Sequence, residues 1–170
     1  MKKFTAFVLL FCLLLSCTGS FAKGYEFFGL NIPEPKMLEN SAVEYEQIGG
    51  FIKNGMFLVQ KLNRGLDSVE GMEDIEAVYA LLNAFLLNSM GATDSKEVNI
   101  QKYSKFAKEF KIHTVGEYVN NDALNYYATF VYNNEFYAIT FMANEHNTKK
   151  QNKIFTDAVF NFLNQVKPVQ

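Results

Sequence analysis

The chain has 170 residues and a formal net charge of -2; it is 49% hydrophobic, 20% charged and 15% aromatic, with 17 Phe, 9 Tyr and no Trp. That balance excludes a disordered tail, a collagen-like fibre and a basic nucleic-acid binder. The length and a mere three Pro point to one compact domain, while two Cys and two His leave little for a disulfide scaffold or for metal and acid–base chemistry.

Residues 1–22 read as a targeting segment and not as fold. Lys2 and Lys3 form a positive start, and residues 4–15 (FTAFVLLFCLLL) form an apolar run. That run is about 12 residues, against roughly 20 needed to span a bilayer. Two cleavage sites compete. Ser20-Phe21-Ala22 fits a small-x-small rule, with release before Lys23. Leu14-Leu15-Ser16-Cys17 resembles a bacterial lipobox, in which the Cys17 thiol would be lipidated and anchor the chain to a membrane. Either cut removes Cys12 and leaves no cysteine pair, so stability must come from the core of a single domain over residues 23–170. The expected location is the cell envelope, lipid-anchored, or the periplasm or exterior if Cys17 is lost.

Phe28, Leu30 and Ile32 alternate, which predicts a short strand ended by Pro33 and Pro35. Residues 43–62 predict a hairpin. Two apolar runs flank Asn54-Gly55, a pair that tolerates the left-handed backbone a tight turn needs. Met56, Leu58 and Leu62 share one parity and Phe57 and Val59 the other, so both faces are expected to be covered. Residues 63–71 read as a polar loop. From residue 73 to 90, Ile75, Val78, Tyr79, Leu82, Phe85, Leu86 and Met90 recur at helical spacing, with Gly91 placed to end the helix. Leu81, Ala84 and Leu87 widen that stripe, as in a helix packed on a sheet or one sharing its surface with a partner.

Asp94-Ser95-Lys96-Glu97 has a capping-box pattern. A second helix is expected after it, lined by Val98, Tyr103, Phe106, Ala107 and Phe110, with Lys96, Lys102, Lys105 and Lys108 in solvent; a strand through Val98-Asn99-Ile100 is the alternative. Residues 111–119 read as a strand containing His113. Residues 124–142 predict a hairpin about Asn133-Asn134, pairing Phe130 with Tyr137, Ala128 with Ile139 and Tyr126 with Phe141 on a core face. The opposite face carries Tyr127, Thr129, Val131, Phe136, Ala138 and Thr140. Thr148-Lys149-Lys150-Gln151 is a second capping box, opening a helix with Phe155, Ala158, Val159, Phe162 and Val166 on one side and Pro168 beyond its end.

The stretch 125–162, with Tyr137-Ala138-Ile139-Thr140-Phe141 at its centre, resembles the C-terminal half of Mog1/PsbP-like domains. Phe28-Gly29-Leu30-Asn31-Ile32-Pro33 resembles their opening strand. The resemblance covers about half of the chain after the targeting segment and is a pattern of residue types. It implies an α+β fold, a central antiparallel sheet with helices packed on its faces (an α/β/α sandwich). Members of that family are mostly non-enzymatic binding, assembly or chaperone modules, several of them envelope lipoproteins, so the resemblance implies a role of that kind and carries over no catalytic residue.

Chemistry-bearing clusters are sparse. His146 lies beside Glu145, but a zinc site needs three or four ligands and nothing adjacent in sequence completes one. Asp67, Glu70, Glu73, Asp74 and Glu76 suit a helix start better than calcium, whose loop spacing is missing. No nucleophile-elbow, dinucleotide, phosphate-loop or zincin motif is present. The expectation is therefore no catalytic residue, no cofactor and no metal, and a partner that is an envelope protein and not nucleic acid. Tyr127 and Phe136, with Leu81 and Leu87 on the broad helix, are the candidate binding residues. The alternative is a periplasmic carrier of a small hydrophobic ligand.

Overall fold

A computed structural model describes residues 24–33, 47–62, 74–92, 95–120 and 123–169. Residues 1–22, read as a targeting segment and including Cys17, the first residues of the 43–62 hairpin, the 63–71 loop with Asp67 and Glu70, Glu73 and Asp94 lie outside the described residues.

The fold is α+β, as expected. Its elements are β1 (Tyr25–Phe27), β2 (Leu30–Ile32), β3 (Gln47–Ile52), β4 (Gly55–Lys61), α1 (Ile75–Ser89), β5 (Ser95–Glu97), a 3-10 turn (Ile100–Tyr103) running into α2 (Ser104–Glu109), β6 (His113–Asn120), β7 (Ala123–Tyr132), β8 (Glu135–Ala143), α3 (Lys149–Leu163) and β9 (Lys167–Pro168). A six-stranded antiparallel sheet runs in the order β3-β4-β8-β7-β6-β5, and a small sheet in the order β1-β2-β9.

The β7–β8 hairpin is the centre of the large sheet. Asn133 and Asn134 both take left-handed backbone (φ 50 and 60), as a two-residue turn of this hand requires. The turn fixes the register, with Phe130 opposite Tyr137, Ala128 opposite Ile139 and Tyr126 opposite Phe141. All six are buried. Phe130 and Tyr137 stack at 5.2 Å and 10°, and Phe106 and Phe110 close on Phe130 at 5.2 and 4.3 Å. On the same face α3 contributes Phe155, Val159, Phe162 and Leu163, and β2 contributes Leu30 and Ile32. The Thr148–Gln151 capping box forms, so α3 starts where the sequence places it. Asn164 ties its end to the 3-10 turn and α2, donating from Nδ2 to the Lys102 carbonyl at 2.9 Å and accepting from the Lys105 N–H at 3.1 Å.

Four local expectations are corrected. The stretch from Phe28 to Ile32 is not one strand: the chain reverses at Phe28-Gly29 (φ 47 and 79), between β1 and β2. Phe28 sits in a region that bulky residues avoid, held by its ring against Phe27 (4.9 Å), Lys61 Nζ above it (4.6 Å) and its carbonyl accepting from Tyr137 Oη (3.1 Å). The β3–β4 turn is Lys53-Asn54, since Ile52 pairs with Gly55; only Asn54 is left-handed (φ 61). Gly55 is instead the first residue of β4, with Phe155 lying where a side chain would stand. Ser95–Glu97 forms edge strand β5 and not a helix cap, and the helical segment starts later, with Asn99 Oδ1 accepting from the Gln101 N–H. Finally, Val166, expected on the face of the last helix, lies beyond its end at Leu163, buried just before Lys167–Pro168 pairs with β2. The alternation in β4 holds: Phe57 and Val59 are buried on the core face, while Met56 and Leu58 are half-buried on the other.

Candidate binding face

Helix α1 covers the second face of the large sheet. Asp74 caps it, its Oδ1 accepting the Glu76 N–H at 2.9 Å, and Gly91 (φ 64) follows the C-cap Met90. Of the predicted acidic patch, Asp74 therefore serves the helix start. Val78 and Tyr79 are buried with Phe136 and Ala138, and Ile75, Leu82, Leu86, Ile112 and Val131 pack around them.

A polar cluster adds to this apolar packing and sets the helix's rotation on the sheet. Tyr79 Oη donates to Thr114 Oγ1 at 2.7 Å and lies 2.9 Å from Thr129 Oγ1, which in turn donates to Asn83 Oδ1 at 2.9 Å. Thr129 is wholly buried, so its hydroxyl has no water to fall back on. Burial pushes the Tyr79 phenol above its usual range, and the bonds to Thr114 and Thr129 pull it back in part.

With that side of α1 committed to the sheet, its other side is apolar and open. Phe85 is 71% exposed and Leu81 54% exposed, and Ala77, Ala80 and Ala84 are exposed beside them. Only Glu76 is charged along the whole helix. Phe85, expected within the packed stripe, thus faces away from the sheet.

The four residues singled out from the sequence do not share a surface. Tyr127 is buried against Gly116, directly opposite on β6, where the ring fills the space of the missing side chain. Burial raises its phenol, against a hydrogen bond with Ser95. Phe136 is buried beneath Tyr79, ring centroids 5.9 Å apart. Leu87 is half-buried, and Leu81 alone of the four is well exposed.

His113 is accounted for by packing. Its Nδ1 donates to the Phe110 carbonyl at 2.7 Å, with Tyr103 and Phe106 edge-on to the ring. His146 is exposed in the loop after β8. Among the described residues no group of three His, Cys, Asp or Glu is placed to hold a metal, and no helix is long and apolar enough to cross a membrane. A concavity of about 640 Å³ between Phe51-Ile52-Lys53 and α3 is an open groove floored by Ile154, Ala158 and Phe162 and edged by Asp157 and Gln165.

Compared with known proteins, the chain matches no family model and no curated sequence.

Proposed function

We propose that this is an exported, non-enzymatic protein of the cell envelope, lipid-anchored through Cys17, that acts as a binding or assembly module. The outer face of α1 is its contact surface. The observation that supports the reading is the exposed Phe85–Leu81 strip on a helix whose opposite side is already packed. Single exposed rings are ordinary, but Phe85 and Leu81 lie one helical turn apart among exposed Ala77, Ala80 and Ala84, and a contiguous apolar strip of this kind marks an interaction surface. The strip carries no basic residue, which fits a protein partner better than anionic lipid. A carrier of a small hydrophobic ligand calls for an enclosed apolar cavity; the groove beside α3 is open and has charged edges.

The test is a photo-cross-linking residue placed at Phe85, with one at Lys108 on α2 as control, in cells that produce the full chain. A discrete protein adduct from position 85, lost on Leu81→Asp, is the expected result. No adduct, or a lipid recovered instead, overturns the reading. Mass spectrometry of the mature N-terminus tests the anchor: an acylated Cys17 is expected, and a start at Lys23 refutes it.

A further inference from the structure

We infer that Met56, Met142 and His146 form a binding site for a soft monovalent cation, Cu(I). The site stands apart from the outer face of α1 and does not depend on it. Met56 in β4 lies directly opposite Met142 in β8. Their neighbours Phe57 and Phe141, also opposite each other, point into the core and are buried. Both thioethers therefore project from the other face of the sheet. Directly opposed residues sit about 4.5–5.5 Å apart at Cα, close enough for two flexible side chains to meet at one atom.

These methionines do not fill a gap in a core. Met142 is 37% exposed and Met56 is half-buried, and both line a concavity of about 620 Å³ together with Glu145, His146, Asn147 and Gln151. His146 is carried by a loop that is tied to the β3–β4 turn. The Asn144 N–H donates to the Asn54 carbonyl at 3.0 Å, Asn147 Nδ2 donates to that same carbonyl at 2.8 Å, and the Asn147 N–H closes on Asn144 at 3.2 Å. The imidazole is thus brought to the same hollow as the two sulfurs, from an element fixed by backbone bonds.

The donor set selects the ion. Thioether sulfur is neutral, soft and polarisable, and it binds Cu(I) in preference to Mg²⁺ or Ca²⁺, which take oxygen ligands. Imidazole suits copper as well. Two sulfurs and one nitrogen offer a neutral three-coordinate site, with the exposed mouth as the route of entry. Among the described residues of the wall Glu145 is the one carboxylate, and the other side-chain oxygens are the neutral amides of Asn144, Asn147 and Gln151, a set of low charge for a hard dication.

The test uses the full chain in detergent with Cys12→Ser and Cys17→Ser, so that no thiol competes. Anaerobic Cu(I) titration against a chromophoric chelator is expected to show one equivalent bound. Met56→Leu, Met142→Leu and His146→Gln should each weaken binding at least about tenfold, the loss that follows even from removing an outer-sphere partner of a metal ligand. Met→Leu nearly conserves volume, so these variants keep the fold, and unchanged far-UV dichroism checks it. X-ray absorption of the loaded protein should show sulfur scatterers at about 2.3 Å, the range of metal–sulfur bonds. Failure to bind one equivalent overturns the proposal. So does binding that survives in the Met56→Leu/Met142→Leu double variant, or a copper shell of nitrogen and oxygen alone.

Discussion

Replacing Gly55 by Ala tests how β4 and α3 fit together. An added Cβ would stand 2.4 Å from Phe155 Cε2, 2.7 Å from its Cδ2 and 2.5 Å from the Met142 carbonyl oxygen. Such approaches fall far inside the 3.5–4.0 Å optimum for carbon pairs. Neither neighbour can yield cheaply. Phe155 is wholly buried, packed 6.0 Å from Tyr126, and Met142 is held in the β4–β8 ladder. Overpacking of this kind costs about 1–3 kcal/mol, and the two-sided clash puts G55A at the upper end. For a domain of this size each kcal/mol lowers Tm by about 2–4 °C, so a fall of about 5–10 °C is expected by differential scanning calorimetry. The control is Gly91→Ala. Gly91 has positive φ (64°) and open space around its missing Cβ, so only backbone strain acts, about 1 kcal/mol. A G55A protein as stable as the parent would refute the seating of Phe155 against β4, and with it the placement of α3.

Three further outcomes follow from named contacts. Thr148→Ala removes the hydroxyl that accepts the Gln151 N–H and should cost about 1 kcal/mol by urea denaturation, with Thr148→Gly costing less than Thr148→Ala. Phe85→Asp and Leu81→Asp, on the outer face of α1, should each leave stability within about 0.5 kcal/mol of the parent, since they touch no core contact; a larger loss would show that this face is already covered. Tyr79, Tyr103, Tyr118, Tyr126 and Tyr127 all have phenols raised above 10.0, chiefly by burial. The folded state therefore keeps these protons longer than the unfolded chain does. Stability from this source is complete below pH 10 and declines as pH rises past it, so ionisation followed at 295 nm should coincide with loss of near-UV dichroism. Smooth, non-cooperative ionisation with the fold intact would contradict the burial of these rings.

Where local chemistry and tertiary demand agree, the sequence is easy to read. Asn133-Asn134 is suited to a left-handed turn, and the turn then dictates which aromatic residue faces which across β7 and β8. The Thr148–Gln151 box and the Phe155, Val159, Phe162 spacing place α3 for the same reason. Where they conflict, the reading slips. Asn54-Gly55 has the stronger turn signature, yet the steric need for a bare Cα beneath Phe155 draws Gly55 into the strand and moves the turn back to Lys53-Asn54. No local rule puts Phe28 at positive φ; the contacts with Phe27, Lys61 and Tyr137 that hold it come from distant elements. The Met56–Met142 pair is invisible for a related reason, since it exists only once β4 and β8 are in register.

The orientation of α1 was beyond sequence periodicity because the helix is apolar nearly all round, so area alone does not choose which side faces the sheet. The choice is made by hydroxyls. Rotating α1 to bury Phe85 would gain about 1.5–3 kcal/mol of apolar burial. It would also withdraw Tyr79 and Asn83 from Thr114 and Thr129. Each buried polar group left without a partner costs about 1–3 kcal/mol, and the rotation strands more than one. The side that carries Tyr79 and Asn83 beside Val78, Leu82 and Leu86 thus wins the contact with the sheet, and the apolar side with Leu81 and Phe85 is left outside. That choice leaves Leu81 and Phe85 with no role in holding the domain together, which is the condition under which an exposed ring is available to a partner.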